Sequence, residues 1–315
     1  MSAMGTLRAV AVAWIISAAP AALKPIAKDL SPTSSKAAAV YKTTPQGDLR
    51  MNLYFPPEWR KTDRRPGIVF FFGGSCAIGS PAQFATTAEY FATRGLVTAS
   101  AEYRIESLHH TPPERCLEDG KSAVRWLRMN ARYLGIDPGR IIAGGGSSGG
   151  TMAAFAAYNS TIEPDDEDKS TSSRPNALVL YNPALGFGND RRLTAEQRKA
   201  AESTLGALIA AWKVSKGGPP AILFFGTEDP LQEKARDFAR QLIAAGTRAE
   251  FYTAAGQKHG FFNARPDSPW HALVLRQTDL FLASLGYLTG DPTIEIPANT
   301  TEALERADLS GHGSR

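Results

Sequence analysis

From residue 67 onward the chain alternates short, unbroken apolar runs with helical stretches, a pattern that few architectures accept. The runs are GIVFFF (67–72), LVTASA (96–101), RIIAGG (140–145), ALVLYN (177–182), AILFFG (221–226) and AEFYTA (249–254). Residues 81–93, 113–134, 151–158, 193–214 and 231–245 between them carry helical periodicity or composition, and a last helix is expected over 270–285. Strands with no polar alternation are buried on both faces, and such strands separated by helices predict an α/β fold. The expected form is a doubly wound, mostly parallel sheet with helices on both faces. Ahead of them, DLRMNLYF (48–55) alternates apolar and polar residues, as a half-exposed antiparallel edge strand does.

The flanks read differently. A single charged residue, Arg8, precedes an apolar stretch too short to span a bilayer, followed by the small-x-small pattern Ala19-Pro20-Ala21. Residues 1–22 are therefore expected to be a signal peptide cleaved near Ala21 or Ala22. Residues 23–39 read as a linker, 40–290 as the folded domain and 291–315 as a flexible tail. The product would be secreted or periplasmic, with no stable membrane association after cleavage. A formal charge of +4, with basic residues spread along 315 positions, excludes an electrostatic nucleic-acid surface. Export would place Cys76 and Cys116 where a disulfide can persist; two buried free thiols are the favoured alternative, because two cysteines make no framework.

Two segments interrupt the alternation. Residues 161–175 (TIEPDDEDKSTSSRP) are acidic and polar, which predicts a solvated loop; the acids lack the ligand spacing of an EF-hand, so no metal site is expected. Residues 186–218 exceed the length of a plain crossover and are expected to form a short cap-like insert.

The chemistry concentrates in RIIAGGGSSGGTMAAF (140–155), which contains Gly-x-Ser-x-Gly twice, one residue out of step. The pattern places a nucleophile on a strained strand-to-helix turn, where side chains two residues to either side would collide with neighbouring backbone. Ser147 and Ser148 both satisfy it. A serine hydroxyl needs an adjacent base and a group that holds that base in the right tautomer. Asp229 stands at the carboxyl end of the 221–226 run, facing the crevice where α/β sheets bind ligands, and His259 follows the 249–254 run in a glycine-bounded loop. His109 and His110 read as loop residues near the same edge. After the first buried run, FFFGGSCAIGSP (70–81) supplies backbone amides of Gly74 and Ser75 for a developing oxyanion, to be completed by the amide after the nucleophile.

Together with AEYRI (101–105), CLEDGKSAVRW (116–126), GTEDP (226–230) and KHGFFN (258–263), these segments resemble the α/β-hydrolase superfamily, in the esterase/lipase branch related to hormone-sensitive lipases and secreted carbohydrate esterases. The resemblance covers about residues 45–287. Laid on the family's common form RIAVGGDSAGG, it implies that Ser147 is the nucleophile, with Asp229 and His259 as acid and base and Ser148 contributing its amide. The family's His-Gly-Gly-Gly-Trp loop is altered here: Phe72, Ser75 and Cys76 replace the histidine, third glycine and tryptophan. Gly73, Cys76 and Asn182 are expected to touch substrate, while Asp119 and Arg125 read as structural charges. The implied activity is a secreted serine carboxylesterase acting on short-chain acyl esters, including acetyl or feruloyl groups on carbohydrate, with small-molecule or polysaccharide substrates and no cofactor. The rivals are a serine peptidase or other acyl hydrolase of the same fold and a non-catalytic binding protein on a hydrolase scaffold.

Overall fold

A computed structural model describes residues 22–24, 35–186, 212 and 214–310. Residues 1–21 of the expected signal peptide, most of the linker, and residues 187–211 and 213 of the insert, with nearly all of the helix expected over 193–214, lie outside the described residues. Ten strands among the described residues form one sheet: β1 Ala22–Leu23, β2 Lys36–Thr44, β3 Gly47–Tyr54, β4 Arg65–Phe71, β5 Val97–Ala101, β6 Ile136–Gly146, β7 Ala177–Tyr181, β8 Ala221–Gly226, β9 Ala249–Ala254 and β10 Leu304–Arg306. Their spatial order is β1-β2-β3-β5-β4-β6-β7-β8-β9-β10. The interior pairs from β5 to β9 are parallel, and the pairs at both margins are antiparallel.

Every residue of β5, β7, β8 and β9 is buried, as continuous apolar runs require. The covering helices are α1 Ala85–Thr93, α2 Glu106–His109, α3 Pro113–Met129, α4 Ala131–Leu134, α5 Ser148–Tyr158, α6 Gln232–Ala244 and α7 Trp270–Ser284, with a 3₁₀ turn over Pro81–Phe84. The first and last longer helices meet through a buried carboxylate: Asp279 of α7 accepts hydrogen bonds from Tyr90 at 2.5 Å and from Arg94, just past α1, at 2.6 Å. Helices α3 and α5 pack together on the other face, and Gly120 admits the Met152 side chain between them.

The topology creates the site. From β4 the chain crosses to β5 on one side, then returns to β6 on the other, so the order of strand addition reverses between β4 and β6 while the strands stay parallel. Loops leaving the carboxyl ends of these two neighbours face one another across a crevice. One is the glycine loop; the other is the doubled serine motif.

Four expectations need correction. Residues 36–39 of the expected linker are the start of β2, paired with β3 from Lys36↔Tyr54 onward. The tail is not wholly loose: β10 pairs antiparallel with β9. The acidic segment is solvated only in part: Asp165, Asp166, Asp168, Lys169 and Ser170 are exposed, but two carboxylates turn into the protein. Glu167 is buried against Lys42, Arg125 and Ser122, and Glu163 accepts hydrogen bonds from Lys121 (2.6 Å) and Arg125 (2.7 Å). Lys42 also reaches Asp119 at 2.9 Å, and Asp119 pairs with Arg104. Asp119 and Arg125 thus belong to a charge network, largely buried, whose members pair with one another. Finally, Cys76 and Cys116 are not free thiols but form a disulfide with Cα atoms 6.2 Å apart.

Candidate active site

Strand β6 ends in a sharp turn into α5, and Ser147 occupies it with φ 52° and ψ −121°. A non-glycine residue there carries roughly 1–3 kcal/mol of strain. The surrounding contacts explain which residues tolerate the turn. A Cβ on Gly145 would stand 2.5 Å from the backbone of Gly149 and from Phe71 O, and one on Gly149 would stand 2.1 Å from Phe71 O. The two glycines flanking Ser147 at two residues on either side are therefore the ones the turn demands. Ser148 is the first residue of α5 and is buried. The ambiguity of the doubled motif is thus resolved by backbone contact: Ser147, not Ser148, is at the apex.

The Ser147 hydroxyl oxygen lies 2.9 Å from His259 Nε2, and His259 Nδ1 lies 2.8 Å from Asp229 Oδ2. Asp229 comes from the turn after β8, and its side chain is fully buried; His259 comes from the loop after β9 and is partly exposed. The Asp229 carboxylate has further donors: the Leu231 amide reaches Oδ1 at 3.0 Å, and Asn182 Nδ2 reaches Oδ2 at 2.7 Å. Three side chains from the carboxyl ends of three parallel strands therefore converge in one line, with the outermost hydroxyl at the crevice. Such a line can carry a proton from the hydroxyl to the imidazole while the carboxylate steadies the imidazolium.

The glycine loop lies alongside. A Cβ on Gly73 would stand 3.1 Å from Ser147 Cβ, so loop and serine turn are in contact. Gly74, Ser75 and Cys76 all have positive φ, at 125°, 59° and 57°. Ser75 thus takes up the left-handed conformation that a glycine would adopt without penalty. The loop is held from several sides: Tyr103 OH donates to Phe72 O at 2.7 Å, the Glu106 amide of α2 donates to Cys76 O at 2.9 Å, and the disulfide ties Cys76 to α3. His109 and His110 sit in and after α2, where His109 Nδ1 engages the Ile105 backbone and His110 caps the helix at φ 51°.

Two of the three expected substrate contacts are corrected. Asn182 is fully buried and its amide faces Asp229, so it offers no surface to a ligand. Cys76 is nearly buried and its sulfur is bonded to Cys116. Gly73 does border the crevice, and its amide donates to Gln83 Oε1 at 2.7 Å. Gln83 in turn donates to Asn263 Oδ1 at 2.9 Å, and Asn263 to Gly260 O at 2.8 Å. This bridge between the glycine loop and the histidine loop escapes sequence reasoning, because Gln83 and Asn263 are 180 residues apart and neither lies in a spacing pattern.

Residues 51–185 match the BD-FAE family. Esterase 2 from the planctomycete Thermogutta terrifontis superposes with a TM-score of 0.75 at 39% identity, covering 83% of this chain and 95% of its own. The chain belongs to the α/β-hydrolase superfamily, in its esterase/lipase branch. Esterase LipI of Mycobacterium tuberculosis is 24% identical over 240 residues, covering 69% of this chain and 72% of its own length. Human arylacetamide deacetylase-like 2 is 33% identical over a shorter stretch of 147 residues, covering 44% of this chain and 34% of its own length. The protein is a carboxylic ester hydrolase of this superfamily.

Proposed function

We propose that this hydrolase is a serine carboxylesterase that cleaves short-chain acyl esters outside the cytoplasm, with acetyl or feruloyl groups on carbohydrate among its substrates. The observation that carries the reading is the unbroken line Ser147–His259–Asp229, with contacts of 2.9 and 2.8 Å. Ser147 Oγ donates its proton to His259 Nε2 and attacks the ester carbonyl. His259 Nδ1–H donates to Asp229, which orients the ring and stabilises the imidazolium. Amides of Gly74, Ser75 and Ser148 donate hydrogen bonds to the carbonyl oxygen as negative charge develops on it. The imidazolium then returns its proton to the leaving alcohol, and water repeats the sequence in reverse roles to release the acid.

Support for a short acyl group comes from the relative: Thermogutta terrifontis esterase 2 has been solved with propionate and with butyrate bound, and phosphorylated by paraoxon. Export is supported by the apolar, weakly charged residues 1–22 and by the disulfide, which persists in oxidising compartments.

A panel of p-nitrophenyl esters of increasing chain length, run beside acetylated xylan and feruloyl sugar esters, tests the substrate class. Turnover should be greatest for two- to four-carbon acyl chains (acetyl to butyryl), and a maximum at long chains would overturn the proposal. Ser147→Ala should fold normally and lose turnover and fluorophosphonate labelling. The N-terminal sequence of exported protein should begin near Ala22.

A further inference from the structure

We infer that Asn182 is a positioning residue for the reaction, acting as a fourth member of the line through Asp229. The inference rests on the roles given to Ser147, His259 and Asp229 above. Asn182 Nδ2 and His259 Nδ1 approach the same carboxylate oxygen, Asp229 Oδ2, at 2.7 and 2.8 Å. The opposite amide orientation would press a carbonyl oxygen against a carboxylate, so the donor assignment follows from charge. With the Leu231 amide on Oδ1, the carboxylate is held at both oxygens and cannot rotate about its Cβ–Cγ bond without breaking one of these hydrogen bonds. The lone pair offered to His259 is thereby aimed, and the ring is aimed in turn at Ser147.

The backbone is suited to the same end. Asn182 immediately follows β7, its φ is 45°, and its amide donates to Phe224 O on β8 at 2.9 Å. Asparagine is among the few side chains that tolerate this left-handed conformation. The turn places the side chain inside the sheet edge, beside the acid and away from the crevice. The residue is fully buried.

A side chain retained only for its left-handed backbone would be replaceable by glycine, and that separates the two roles. Asn182→Gly keeps the backbone conformation and removes the donor. Asn182→Asp keeps shape, volume and backbone tolerance, replaces the donor by a second carboxylate, and leaves no void for water to fill. Both variants should lower kcat by about 10- to 100-fold or more with KM within about twofold, the signature of lost aim rather than lost binding. The far-downfield proton resonance of the His259–Asp229 hydrogen bond should shift or broaden in any variant that folds.

Wild-type kcat in Asn182→Gly, with an unchanged resonance, would overturn the inference, as would a rise in KM with kcat preserved, which would make Asn182 a substrate contact. Should Asn182→Gly fail to fold, Asn182→Asp decides by the same two readouts. Fluorophosphonate labelling of the wild-type protein separates this inference from the reading beneath it. Absence of an adduct on Ser147 sinks the serine mechanism itself, whereas labelling with an unimpaired Asn182→Gly sinks only the role of Asn182.

Discussion

The ring of Phe262 lies over Gly146, so close that a Cβ on that glycine would stand 2.3 Å from Cζ. Phe262 follows His259 by three residues, and Gly146 precedes Ser147. The contact therefore locks the histidine loop onto the serine turn. Gly146→Ala should displace the ring and, with it, His259, lowering kcat by about 10- to 100-fold. Trimming the ring in Gly146→Ala/Phe262→Leu should recover part of the loss, and steady-state kinetics on the four proteins of the double-mutant cycle measures the coupling.

Lys42 lies in the antiparallel margin, fully buried between Asp119 and Glu167. Lys42→Met keeps most of the volume and strands two carboxylates near one another. Removing one partner from a buried network costs about 3–5 kcal/mol, and Arg104 and Arg125, which remain, should hold the loss near the lower end. Urea unfolding at neutral pH should report a loss of about 3 kcal/mol, while kcat/KM at 25 °C stays close to wild type.

Acid should loosen the docked 161–175 segment. Burial opposes the charge on Glu163, but hydrogen bonds and charges from Lys121 and Arg125 outweigh it and hold the carboxyl below its ordinary value of 4.5. A carboxyl depressed in the folded state contributes stability above its unfolded value and loses it as the pH falls through the folded one. Denaturation midpoints should therefore be level near neutrality and fall below about pH 4.5. Glu163→Gln should begin lower and show a shallower fall, and an equal acid slope in both proteins would contradict the assignment.

The disulfide joins residues 40 positions apart and ends in the glycine loop. Restricting the unfolded chain over a loop of that length stabilises by about 4 kcal/mol. Cys116→Ser should lower stability by up to that amount and free the loop at Cys76, so that kcat falls more than KM rises. Guanidinium unfolding with and without dithiothreitol checks the first expectation, and kinetics at a temperature where the variant is folded checks the second.

The parallel core was legible because burial on both faces leaves a local trace: GIVFFF, ALVLYN and AILFFG show it without reference to any partner. The triad was legible for a related reason, since its members must stand at strand ends and strand ends follow apolar runs. Elements stabilised by distant partners left no such trace. Strand β6 begins at Ile136, four residues before the expected run, because Asp137–Gly139 extend it with no apolar signal. Glu167 reads as solvated until Lys42, on the far side of the sequence, is seen opposite it. Asn182 reads as a pocket residue because sequence places it at the correct edge without saying which way its amide points. The two cysteines are equally silent, since the residues between Cys76 and Cys116 contain no hint that the glycine loop folds back to α3.

The three residues of β10 have a consequence for the molecule among its own copies. Strand β9 is six residues long, buried throughout and contains two aromatic residues; bare, its outer edge would present amides and carbonyls to any extended chain. Leu304–Arg306 occupies that edge, and the Ala307 amide extends the cover to Phe251 O at 2.8 Å. At the opposite margin the two-residue β1 pairs antiparallel with β2 at Thr43 and Lys42. Leu304–Ala307 thus guard against strand-by-strand polymerisation, and a chain ending before residue 304 would show its defect first as aggregation in concentrated solution.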